Sequence, residues 1–151
     1  MEHHDIQQQV LIEHETLAHI VSALRTTIGW KTQVLDFSRK LSSLRFVCDS
    51  FQRHLKRLLQ MEQAHGYMTA VLEARPDMGD VVRALRLEHT TFRKQTRDVM
   101  GRLKTVASTD HAAFDAICAD LSGLLDALDA HNQKETDVLQ EALLRDEGGE
   151  G

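Results

Sequence analysis

Apolar residues recur along this chain at alternating three- and four-residue steps, the spacing that lines one face of an α-helix. The first such stretch runs from about Asp5 to Ile28 and carries Val10, His14, Leu17, Val21, Leu24 and Ile28 before Gly29 stops it. The second is longer, from about Lys31 to Glu73, with Val34, Phe37, Leu41, Leu44, Cys48, Phe51, Leu55, Leu58, Glu62, His65, Thr69 and Leu72 facing inward. Ser42 and Ser43 mark an expected break, since a straight helix from Lys31 would carry Glu62 well past the depth of His14. Arg75-Pro76 ends this stretch, because the residue before a proline is pushed out of α geometry. Gly79 and Asp80, the latter a candidate N-cap, then open a third stretch with Val82, Leu85, His89, Phe92, Thr96, Val99 and Leu103. A turn over Ala107 to Asp110, with Ser108, Thr109 and Asp110 as candidate caps, leads into the last. There the inward positions are Phe114, Ile117, Leu121, Leu124, Leu128, His131, Glu135, Val138 and Ala142, and the pattern reaches Leu144. Four amphipathic stretches joined by short turns predict an all-α, up-down-up-down four-helix bundle.

Composition narrows this picture. The 151 residues include one Pro, one Tyr and one Trp, with 42% hydrophobic and 27% charged residues, a profile that suits helices over sheets. One domain is the expectation, with a core from about residue 5 to 145 and an acidic, glycine-rich, disordered tail from Asp146 to Gly151. A net charge of −5 with no basic block argues against a nucleic-acid partner. No stretch approaches the roughly 20 apolar residues needed to span a bilayer, and the polar start, Met1 to Gln9, is unlike a signal peptide. Cys48 and Cys118 lie far apart without a CxxC spacing, so they read as buried free thiols, in keeping with a reducing cytoplasm. Association with a second copy stays open.

The candidate chemistry lies where the apolar faces are interrupted. His14, Glu62, His65, His89, His131 and Glu135 occupy inward positions that their neighbours fill with aliphatic residues. An imidazole or carboxylate left unsatisfied in such a core costs several kcal/mol, so each needs a partner or a metal. Glu62 and His65 share a helix face, as do His131 and Glu135. Counting from the turn between them, an antiparallel hairpin would bring His65 and His89 level. All four helices are interrupted, and the interruptions can share one depth. Imidazoles and carboxylates without a thiolate suit iron, manganese or zinc, and two carboxylates can bridge two ions. His54 lies beside the stripe, about 12 Å along the axis from Glu62, either a further ligand or a boundary residue. His19 and His111 read as surface residues, and the end bearing His3 and His4 as frayed.

At these residues the chain resembles the hemerythrin-like, or HHE cation-binding, family of four-helix bundles. The matching pieces are Ile12-Glu13-His14, Leu87-Glu88-His89 and His131-Asn132-Gln133-Lys134-Glu135, the last being the most specific. The resemblance spans His14 to Leu144. It implies a non-haem centre of two iron ions, oxo- or hydroxo-bridged, that meets O2, nitric oxide or peroxide, and it would make His14, His89, His131 and Glu135 ligands. The second helix departs from the family, which places a His four residues before a Glu. Counting back from Glu62, or on from His54, reaches Leu58. Glu62 is then the surviving carboxylate, with His65 supplying the missing imidazole from the other side. Where family members often carry a further His, four residues after His89, this chain has Arg93, expected to pair with a carboxylate.

Two functions follow as expectations. One is an iron protein that binds or senses a small diatomic ligand or peroxide, with the four histidines terminal and Glu62 and Glu135 bridging. The other is a bundle with a mononuclear or empty site, its histidines a hydrogen-bonded layer, acting as an interaction or regulatory module. A ferritin-like iron oxidase is more distant, because only one helix offers Glu-x-x-His.

Overall fold

The computed structural model of the chain describes residues 2–31, 37–65 and 67–144, with side chains over 8–31, 37–64 and 68–142. Helix α1 spans Glu2–Ile28, α2 Phe37–His65, α3 Tyr67–Ala74, α4 Gly79–Thr105 and α5 His111–Leu139. A 3-10 turn at Pro76–Met78 precedes α4, and a π turn at Gln140–Leu144 follows α5. The four long helices α1, α2, α4 and α5 form an all-α bundle with no strand among the described residues. Helix α1 packs chiefly on α2 and α4 on α5, while α2 meets α4 and α1 meets α5. The tail from Asp146 to Gly151 lies outside the described residues.

Local chemistry explains most of the boundaries. Neither α1 nor α2 contains glycine or proline. Both run unbroken over their described spans, α1 to Ile28 ahead of Gly29 and α2 to His65. The break expected at Ser42 and Ser43 is absent, since α2 is continuous through both, while the expected start near Lys31 lies beside residues 32–36, outside the described residues. Glu62 nevertheless lies level with His14, their side chains 3.0 Å apart. At the other end α1 starts at Glu2, ahead of the expected Asp5, and takes in His3 and His4. Arg75 is extended before Pro76, with φ −136 and ψ 81, as a pre-proline residue must be. Asp80 does not cap α4, because the turn at Pro76–Met78 runs directly into the helix and leaves Met78 at the cap position. Asp80 falls in the first turn instead, where its charge suits the helix dipole. Asp110 does cap α5, its side chain accepting from the Ala113 amide at 3.1 Å.

The two helix C-termini at the end away from the candidate site are closed by cations from α2. Buried Lys40 donates to the Ile28 and Trp30 carbonyls at 2.8 and 2.9 Å and lies 5.7 Å from the Phe114 ring centre. Arg45 donates to the Leu103 and Val106 carbonyls at 3.0 and 3.1 Å. Both satisfy carbonyls that the helices themselves leave open.

Two apolar clusters fill the interior. The larger runs from Leu17, Val21 and Leu24 through Leu44, Phe51 and Leu58 to Leu121 and Leu128. The smaller joins α3, α4 and α5 through Met68, Val71, Val82, Leu85, Val138 and Ala142. In α3 the inward face is turned from its expected register: Thr69 is exposed, and Met68 and Val71 are buried instead. Cys48 and Cys118 are free and buried, and burial pushes the Cys48 thiol up to about 12. No helix among the described residues is long and apolar enough to cross a membrane.

Candidate metal centre

A buried polar layer separates the two apolar clusters. Along α4, Leu85 of the smaller cluster and Phe92 of the larger flank His89; along α5, Leu128 and Val138 flank His131 and Glu135. With Glu62 from α2, these residues offer four ligand atoms within 4.8 Å of one another, and all four residues are buried. Helical spacing brings about this convergence: His131 and Glu135 are one turn apart on α5, and the packed neighbours deliver His89 and Glu62 at the same depth.

The contacts converge on two nitrogens. His89 Nε2 lies 3.1 Å from His131 Nε2, 3.3 Å from Glu135 Oε1 and 3.2 Å from Glu62 Oε2. Its Nδ1 is buried without a partner. His131 Nε2 lies 2.6 Å from Glu135 Oε1, while its Nδ1 donates to Glu88 Oε2. That second bond decides the chemistry. With Nδ1 carrying the proton for Glu88, a neutral His131 presents a lone pair at Nε2, directly facing a carboxylate oxygen. Two bare acceptors repel at that distance, so they either share a proton there or stand side by side as ligands of one metal ion. The donor set fits the second as well as the first, since imidazole nitrogen and carboxylate oxygen suit iron, manganese or zinc.

The titration behaviour agrees. Burial pushes the His89 imidazole down, but its bonds to Glu135 and Glu62 more than reverse this and raise it to about 9. His131 is raised by Glu135 and Glu88 in the same way, against its burial and the repulsion of His89. Glu88 is pushed up by burial but ends below the ordinary carboxylate range, because His131 and Lys134 both donate to it. Lys134 Nζ lies 3.1 Å from Glu88 Oε1. The edge-on Phe92 ring, 5.1 Å from the His131 ring, helps seal the other side.

His14 lies at the rim. Its Nε2 is 3.0 Å from Glu62 Oε1, and 28% of its side chain is exposed against 3% for Glu62. Burial lowers it, and the bond to Glu62 raises it further, for a net rise. The expected pairing of His65 with His89 lies outside the described side chains; the α2 residue level with His89 is Glu62. His54 does not join the group, because its Nδ1 is held by Glu13 Oε1 at 2.5 Å. Arg93 donates to the Gln63 amide oxygen at 3.0 Å rather than to the carboxylate expected for it. An open groove of about 480 Å³ between α2 and α4, lined by Leu55, Leu59, Gln63, Arg93, Thr96 and Arg97 among others, contains none of the four converging residues. The donors are thus sealed in the core rather than set in a cleft.

Two residues were not among the inward positions. Glu13 is buried at 6% exposure, and Glu88 is half-buried. Each stands immediately before a layer histidine, rotated about 100° from it around the helix, and so faces the neighbouring helix. The paired Glu-His motifs were the available signal: the glutamates hold imidazoles on partner helices.

A helical bundle with a sealed layer of imidazoles and carboxylates defines a class of metal-binding protein. The model of the hemerythrin HHE cation binding domain matches residues 5–143, and the chain belongs to that family. No curated protein and no solved structure gives a significant match.

Proposed function

We propose that this is a non-haem iron protein that binds or senses a small oxidant, with O2, nitric oxide or peroxide as its ligand. The observation that carries the reading is the meeting of Glu62, His89, His131 and Glu135 in one buried layer. Bound iron would supply coordination positions left open by these four residues, at which a diatomic ligand or peroxide can attach. The chain's own contribution is to fix the donors and keep bulk water out. Glu88 holds the His131 ring by Nδ1 and so aims Nε2 inward. Phe92, Leu85, Leu128 and Val138 close the layer above and below. His14 is partly exposed and marks the rim of the layer toward solvent. The reading assigns ligand binding, with no nucleic-acid or membrane partner, in the reducing cytoplasm that free Cys48 and Cys118 suit.

Protein purified from iron-replete cells should contain iron by mass spectrometry and absorb in the visible as oxidised non-haem iron does. A colourless, iron-free product that also fails anaerobic reconstitution with ferrous iron would refute the reading. A second reading draws on buried Leu58 and on Arg93 bonded to Gln63: a metal-poor bundle acting as an interaction module. The two separate on His89→Leu. In both cases the change strips a partner from buried Glu62 and Glu135 and lowers Tm, but only in a loaded bundle does it also remove metal and abolish the Tm difference between metal-replete and chelator-treated protein.

A further inference from the structure

The bundle consists of two similar helix pairs. Helix α1 carries Glu13-His14 and α4 carries Glu88-His89; α2 has Leu58 four residues before Glu62, and α5 has His131 four residues before Glu135. In the α4/α5 pair, Glu88 grips His131 by Nδ1, and the Nε2 atoms of His131 and His89 turn to Glu135 Oε1 at 2.6 and 3.3 Å. In the α1/α2 pair the position matching His131 is Leu58, 2% exposed. Glu13, lacking an imidazole there, has closed on His54 one turn earlier, at 2.5 Å. The Glu62 carboxylate is divided: Oε1 reaches His14 at 3.0 Å, and Oε2 crosses to His89 at 3.2 Å.

We propose that the layer holds one metal ion per chain, in the α4/α5 half between Glu62, His89, His131 and Glu135, and that Leu58 excludes a second. The family resemblance implies two bridged ions, but among the described side chains only the α4/α5 half has its full set of donors. Leu58 has no donor atom. His54 is about 12 Å along the helix axis from Glu62 and is already bonded to Glu13. Among the described side chains, a second ion would be left with half-exposed His14 and carboxylates that the first ion shares. Glu88 is accordingly a positioning residue for the site, and Glu13 carries the same geometry toward a ligand that is missing.

This inference rests on the metal-binding reading, and counting ions separates the two. Metal-free protein is reconstituted anaerobically with ferrous iron and, separately, with zinc, desalted, and its bound metal measured against protein. One equivalent supports the inference. Two overturn it and leave the metal reading standing, while none with either ion overturns both. Affinity measured by competition with a chelator tests the asymmetry: Glu88→Ala should weaken binding about 10–100-fold, and Glu13→Ala should leave it unchanged. Equal losses from the two would overturn the assignment to the α4/α5 half. Leu58→His combined with His54→Ala, which frees Glu13, should raise the count from one to two, and the ferric form should change from an isolated-ion EPR signal to a coupled pair. A variant that retains its helical circular dichroism and still binds one ion would overturn the role given to Leu58.

Discussion

The two halves of the bundle repeat one Glu-His arrangement and part at one position of the layer, where α5 has His131 and α2 has Leu58. Around α4 and α5 a glutamate on one helix holds a histidine on the next, and that histidine meets a carboxylate one turn away on its own helix. Around α1 and α2 the same glutamate exists, buried, but Leu58 stands where the histidine would be, and the carboxylate turns its second oxygen to the opposite half. The difference shows how a buried polar group behaves when its natural partner is missing. Glu13 is not left bare; it takes the next imidazole along the helix, His54, with Arg57 at 3.7 Å, because an unpaired buried carboxylate costs more than a shifted contact.

The comparison can be broken most severely at His131. Removing it with His131→Ala leaves Glu135 and Glu88 without the imidazole that lies between them. The metal-free protein should lose about 3–5 kcal/mol in urea unfolding, as expected for stripping one partner from a buried charged pair. In the other half, where Leu58 takes the place of His131, the layer imidazole is His14, and His14→Ala should cost about 1 kcal/mol or less, because His14 is half-buried and Glu62 keeps its contact with His89 at 3.2 Å. Comparable losses would mean that the halves are equivalent after all.

A pH series sharpens the same point. In the metal-free protein His89 is raised from 6.5 to about 9, and His14 and His131 move in the same direction. The folded state therefore holds protons that the unfolded chain releases near pH 6.5. Their stabilisation is fully present below that pH and fades as pH rises through about 9. Urea midpoints for the metal-free protein should fall over this interval, and His89→Leu should flatten the fall. Metal binding displaces the same protons, so the loaded protein should lose less stability across the interval.

The smallest effect belongs to the surface. Arg25 ties α1 to α5 through Asp126 and Asp129 at 3.0 and 2.7 Å, but both carboxylates are well exposed. Arg25→Ala should cost less than about 1 kcal/mol and lose even that in high salt, measured by urea unfolding at two ionic strengths.

What the sequence by itself determined about this protein is the set of inward faces. Periodicity is enough to bury Leu17, Leu44, Phe51, Leu85 and Leu121, because a helix of fixed pitch gives each face one set of residues, and the apolar set must leave water. The same spacing identified Glu62, His89, His131 and Glu135 as inward, since local geometry fixes each residue's direction from its own helix axis. It also misled at the ends. Ser42 and Ser43 lie within an unbroken helix, Asp80 lies inside α4 instead of capping it, and Thr69 is exposed, because boundaries and register changes depend on competing turns and on the neighbours against which a helix is packed.

Only the tertiary structure decided which donors meet. The distance from one helix to the next is set by packing between helices, to which spacing along any one of them is blind. So it was the fold that brought Glu62 level with His89, gave His54 to Glu13 and Arg93 to Gln63, and turned Glu88 toward His131. Glu13 and Glu88 acquire their roles in the same way: each lies off the inward face of its own helix and becomes part of the site only when a second helix is set beside it.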